Sequence, residues 1–143
     1  MSEATPTKIL IIDDSETDRY TYRYYLEQAS PEYRVYEAED GPTGLEMAAS
    51  IDPDCVLLDL RLTDRSGNQQ SGYELLPELI GEEGHRKRPV IMLSVLRWDA
   101  LRHGARSLGA SNYLVKGLTT PVALDRAIRE ALAGADRQRP VDN

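Results

Sequence analysis

CVLLDLRLTD, residues 55–64, holds an unbroken apolar run from Cys55 to Leu58 and then turns to acid at Asp59. Four consecutive residues that can all be buried suit a strand covered on both faces, the kind found inside parallel sheets. A carboxylate at the end of such a run is costly to bury unless something pairs with it. Its partners have to come from other segments of the chain.

Outward from that stretch, apolar runs alternate with helical patterns. KILIID (8–13) reads as a short buried strand ending in acid. Residues 15–29 read as a helix with Ser15 as N-cap. YRVYEA (33–38) is a second strand, GPTGLEMAAS (41–50) a short helix and DCVLLD (54–59) the third strand. Residues 72–80 suit a helix that Pro77 should kink or shorten. PVIMLS (89–94) is the fourth strand. Residues 97–108 suit a helix ended by Gly109, and SNYLVK (111–116) is the fifth strand. TTPVALDRAIREALA (119–133) is a helix capped by Thr120 with Pro121 at its first position. Five β-α repeats with strands of this kind predict an α/β, doubly wound, flavodoxin-like fold. Its five-stranded parallel sheet runs in the order 2-1-3-4-5, with five helices around it.

The chain of 143 residues is long enough for one domain with a real core. Its net charge of −7 and isoelectric point near 4.8 argue against a nucleic-acid partner. Cys55 is the only cysteine, which excludes an internal disulfide and a cysteine-rich metal site. No apolar stretch suits a membrane span, and MSEATPTK lacks the pattern of a secretory signal. No membrane partner and a cytoplasmic setting are therefore expected. The domain is expected over 7–133, with 1–6 and 134–143 as flexible ends or linker.

In a doubly wound sheet, ligands bind beyond the carboxyl ends of the strands. There the sequence places Asp13 and Asp14 after strand one, Asp59 after strand three, Ser94 after strand four and Lys116 after strand five. Carboxylates gathered on one rim repel one another, and a hard divalent cation or a lysine relieves them. An oxygen-only ligand set favours Mg²⁺ or Mn²⁺.

ILIIDDSETDR, PDCVLLDLRL, SGYELL, PVIMLSV and GASNYLVK together resemble a response-regulator receiver domain of bacterial two-component signalling, over nearly all of residues 8–133. The resemblance implies that Asp59 accepts a phosphoryl group from a histidine kinase or histidine phosphotransfer protein. Asp14, Asp59 and the backbone carbonyl of Arg61 would ligate Mg²⁺, with Asp13 holding it through water. Lys116 would pair with phosphoryl oxygens. Ser94 would hydrogen-bond the phosphoryl group and draw in the following loop, and Tyr113 would swing inward as that loop closes. The protein would catalyse its own phosphorylation and dephosphorylation while serving mainly as a switch. No motif names the output partner.

The chain departs from the family pattern in three places. Gly117 stands where proline usually follows the lysine, and a trans Lys116–Gly117 bond is expected. The glycine before the third helix is Gly72, about five residues later than usual, which leaves a polar loop at 63–71 beside the rim. Val95, Leu96 and Arg61 offer no group to align an attacking water, so slow loss of the phosphoryl group is expected. On the first helix, Tyr22, Tyr25, Leu26 and Ala29 share a core face, while Tyr20 and Tyr24 pair on another face, where a phosphodonor would dock. His85 and His103 read as solvated. The alternative function is a receiver-like module that binds partners without phosphate. A haloacid-dehalogenase-type hydrolase is rejected, because that family needs a second acid where Arg61 stands.

Overall fold

A computed structural model of the chain describes residues 5–82 and 84–138. The elements run β1 (Thr7–Ile12), α1 (Glu16–Ala29), β2 (Tyr33–Ala38), α2 (Gly41–Ile51), β3 (Cys55–Leu58), β4 (Arg61–Thr63) and β5 (Gln69–Ser71). A 3₁₀ turn (Gly72–Leu75) leads into α3 (Leu76–Ile80), followed by β6 (Val90–Ser94), α4 (Asp99–Ser107), β7 (Asn112–Val115) and α5 (Pro121–Gln138). The main sheet is parallel, in the order β2-β1-β3-β6-β7. This is the expected doubly wound topology, renumbered because β4 and β5 form a separate antiparallel hairpin.

Strand periodicity divides the interior in two. Leu10, Ile12, Val56, Leu58, Val90 and Met92 face a core shared with α2, α3 and α4. Ile9, Ile11, Cys55, Leu57, Ile91 and Leu93 face the other side, where Tyr22 and Leu26 of α1 and Leu124 and Ile128 of α5 cover them. Each fully buried aliphatic side chain contributes about 1.5–3 kcal/mol, and β3 is buried along its whole length. Cys55 is a buried thiol whose pKa burial pushes up to about 12.

The caps follow local chemistry. Ser15 Oγ accepts the Asp18 N–H, and Thr120 Oγ1 accepts the Ala123 N–H, with Pro121 opening α5. Several expectations need correction. Pro77 lies in the first turn of α3, where its missing N–H costs nothing, and the stretch before it is 3₁₀ rather than a kinked helix. The fourth helix begins at Asp99, with Trp98 as its cap residue. The last helix, expected to end at 133, runs on to Gln138. Thr5 and Pro6 precede β1, while 1–4 and 139–143, also read as flexible ends, lie outside the described residues. Among the described residues no helix is long and apolar enough to cross a membrane.

The 63–71 stretch is the largest departure. Arg61, Leu62 and Thr63 pair with Ser71, Gln70 and Gln69. Asp64 Oδ1 accepts the Ser66 and Asn68 N–H groups and closes the turn. Leu62 is buried in the core beside α3 and anchors the hairpin. Arg65 forms an ion pair with Glu46 of α2.

Candidate functional site

Backbone bonds carry each functional residue to the same edge of the sheet. The Asp13 N–H donates to the Ala38 carbonyl, the Asp59 N–H to Ile12 and the Lys116 N–H to Ser94. The strand ladders thus extend one residue beyond β1, β3 and β7 and fix where those side chains start. Asp13, Asp14 and Asp59 each place a carboxylate oxygen within 4.8 Å of the others. Ser94 is buried at the end of β6.

Lys116 binds this cluster together. Its Nζ donates to Asp13 Oδ2 at 2.6 Å, Asp18 Oδ2 at 2.8 Å and Asp59 Oδ2 at 3.3 Å. The Lys116 and Asp13 side chains are only 7% and 3% exposed. Asp13 Oδ1 accepts the Ser15 N–H, and Asp59 Oδ1 accepts a longer bond from the Arg61 N–H. Burial works against the Lys116 charge. Hydrogen bonds to Asp13 and Asp18, with the Asp59 and Asp13 charges, outweigh it and hold the ammonium above the ordinary lysine range. Burial also lifts the Asp59 carboxyl, and the Asp13 charge lifts it further. Lys116 and the Arg61 N–H pull it back, leaving it at about 7.

Two glycines shape this rim. A Cβ on Gly72 would lie 2.3 Å from the Asp59 carbonyl oxygen, so only glycine allows the hairpin to return this close. Gly117 has a φ of +83°, and among the described residues no peptide bond is cis. The Lys116–Gly117 bond is therefore trans, with glycine supplying the turn.

Sequence reasoning brought together Asp13, Asp14, Asp59, Ser94 and Lys116, and the structure places all five at this edge. Tyr113 differs from the expected resting position. Its ring is already inward, 2% exposed, and its hydroxyl donates to the Leu96 carbonyl. The core contact and that bond satisfy both ends of the side chain. The Leu96 N–H in turn donates to Ser94 Oγ, which connects Ser94 to Tyr113 through one residue. Arg61 is exposed, at the start of the hairpin. Sequence reasoning missed Asp18, because Ser15-x-x-Asp18 reads as helix capping. It also missed Tyr73, whose hydroxyl donates to the Leu101 carbonyl of α4. On α1, Tyr22 and Leu26 are buried, and Tyr25 is partly buried with its ring edge-on to Tyr22; Tyr20 and Tyr24 are exposed, as are His85 and His103.

The residues fit a hard divalent cation: three oxygen donors converge, while the only cysteine is buried in β3. The arrangement can also bring a carboxylate nucleophile, a cation and a hydroxyl donor to one incoming oxyanion.

The model of the response regulator receiver domain family matches residues 9–129. The nitrate/nitrite response regulator NarL of Escherichia coli K12 is 33% identical over 134 residues, covering 94% of this chain and 58% of that protein. The transcriptional regulatory protein SrrA of Staphylococcus aureus is 33% identical over 109 residues, covering 76% of this chain and 41% of that protein. The chain thus spans about half the length of these relatives. Among solved structures, the receiver domain of the putative response regulator NarL from Mycobacterium tuberculosis superposes with a TM-score of 0.79 at 23% identity, covering 92% of this chain and 99% of that one. A LuxR-family two-component response regulator from Aurantimonas sp. SI85-9A1 gives 0.76 at 28%, covering 91% and 87%. With the topology, the convergent rim and these likenesses in agreement, the chain belongs to the response-regulator receiver domain family of two-component signalling.

Proposed function

We propose that Asp59 is the phosphoryl acceptor, that Asp13, Asp14, Asp59 and the Arg61 carbonyl hold Mg²⁺, and that Ser94 and Tyr113 relay the change. The observation that carries this reading is Lys116 Nζ bridging Asp13 and Asp59 at the carboxyl end of the sheet. The donor is a phosphohistidine on a kinase or phosphotransfer protein. An Asp59 carboxylate oxygen attacks phosphorus; the new O–P bond forms as the N–P bond breaks, and the imidazole nitrogen keeps the electron pair.

Mg²⁺, or Mn²⁺, supplies positive charge to the transferring oxygens when bound. Asp14 and Asp59 would hold it directly with the Arg61 carbonyl, and Asp13 through water. Lys116 takes the charge that develops on a phosphoryl oxygen. Ser94 Oγ, still accepting the Leu96 N–H, donates its own proton to another oxygen and pulls the Leu96 backbone toward the rim. Tyr113, bonded to the Leu96 carbonyl, holds the loop in its new place. The phosphoryl group thereby favours one of two backbone arrangements.

Incubation with Mg²⁺ and acetyl phosphate adds one phosphoryl mass to the wild type and none to Asp59→Asn. A wild type that stays unmodified even with its cognate kinase overturns the reading. The inward Tyr113 favours a second reading, a module that binds its partner without phosphate. Under it, the tyrosine environment followed by NMR stays unchanged when beryllofluoride and Mg²⁺ are added.

A further inference from the structure

Lys116 carries three N–H donors, and all three go to carboxylates: Asp13 at 2.6 Å, Asp18 at 2.8 Å and Asp59 at 3.3 Å. Asp13 and Asp59 belong to the site already described. Asp18 lies outside it, in the first turn of α1, with its backbone N–H held by Ser15 Oγ. The α1 cap fixes its position, and its carboxylate reaches a lysine 98 residues later in the chain.

The two shorter bonds, to Asp13 and Asp18, draw the ammonium away from Asp59. A phosphoryl oxygen on Asp59 can take over the long 3.3 Å bond, but a full-strength bond to it needs the ammonium to move toward Asp59, so one of the two shorter bonds must yield. Giving up Asp13 would strip a carboxylate that is 3% exposed, whereas the Asp18 side chain is 37% exposed and water can replace the lysine. We infer that Asp18 is a positioning residue that holds Lys116 back from Asp59 in the unmodified protein and releases it when an oxyanion arrives. It acts as a brake on the acceptor site. The inference rests on the phosphoryl-accepting reading and adds a carboxylate outside the Mg²⁺ set.

Beryllofluoride, measured by calorimetry at saturating Mg²⁺, reads this directly. Asp18→Asn binds it roughly three-fold more tightly than wild type, a change in the range of a partly exposed ion pair. Asp18→Glu, which keeps the charge, stays nearer wild type. Merely structural damage to α1 would lower affinity, so an equal or weaker affinity in Asp18→Asn overturns the brake. A wild type that takes up no beryllofluoride counts against the acceptor reading instead. The hold on Lys116 is then judged by acetylation of that lysine with a neutral active ester, followed by peptide mass. The rate rises in Asp18→Asn if Asp18 restrains the ammonium, and an unchanged rate overturns the inference.

Discussion

Two buried cations sit at opposite ends of the sheet. At the carboxyl end, Lys116 faces Asp13, Asp18 and Asp59, with Asp14 beside them. At the amino end, Arg88 precedes β6; it is 7% exposed, donates to the Leu79 carbonyl at 2.7 Å and pairs with Asp52, whose side chain is 81% exposed. One cation is outnumbered by acids. The other is met by a neutral carbonyl and one solvated acid. Acids in excess of their counter-charge weaken the folded state and create demand for a further cation. A guanidinium tied to a helix carbonyl mainly joins two elements, α3 and β6. The same kind of buried charge therefore faces a surplus of acids at one end and ties two elements together at the other.

The largest expected effect breaks this contrast from the amino end. Arg88→Met removes the donor to Leu79 and the pair with Asp52. The loss expected is about 2–3 kcal/mol of unfolding free energy, measured by urea denaturation. Mg²⁺ affinity, measured by calorimetry, stays at the wild-type value. A variant as stable as wild type, or one with altered Mg²⁺ affinity, would show that Arg88 is not a simple tether.

That division is partly visible in the sequence alone. Strand positions were legible because β1, β3 and β6 are apolar on both faces, and the acids after them stand out from such runs. The hairpin was not. Its strands are three residues each, too short for a period, and Leu62 is its only buried side chain. The turn residues Asp64, Ser66, Gly67 and Asn68 were visible, but a polar turn does not announce that its flanks pair. Asp18 was hidden differently. Its local role in the first turn of α1 is complete, and only the fold brings it to Lys116. The extension of α5 was masked because the stretch from Gly134 onward is mostly polar; the preceding apolar face carries the helix through it.

A smaller effect sharpens the contrast from the carboxyl end. The Asp59 pKa is raised from 3.8 to about 7, by burial first and the Asp13 charge second. Across that interval the folded state keeps a proton that the unfolded state has lost. Stability of the metal-free wild type therefore falls as pH rises through this window and levels off above it. Asp59→Asn lacks that fall. In EDTA at about pH 8 it should exceed wild type on the order of 1–2 kcal/mol, and at about pH 4 the two should converge. Thermal denaturation at the two pH values checks this. Parallel profiles would mean that the rim acids do not weaken the fold. Saturating Mg²⁺ should narrow the gap by stabilising wild type, since a ligand of the folded state adds to its stability.

The smallest effect isolates geometry from charge at the same rim. Gly117 holds φ at +83° directly after Lys116, and a Cβ added there meets nothing within 4 Å. Gly117→Ala therefore changes no charge and makes no clash; it opposes only the backbone turn, at a cost of about 1 kcal/mol. Gly117→Asn, which tolerates the left-handed region better, should fall between alanine and wild type. If the turn also aims the ammonium at the acids, beryllofluoride affinity at saturating Mg²⁺ should weaken in the same order, with alanine lowest. The Lys116 N–H bond to the Ser94 carbonyl lies on the strand side of the turn, so the backbone anchor should survive in both variants. Stability that declines in this order while affinity stays constant would mean that the three carboxylates alone place Lys116, and that glycine here serves the loop rather than the site.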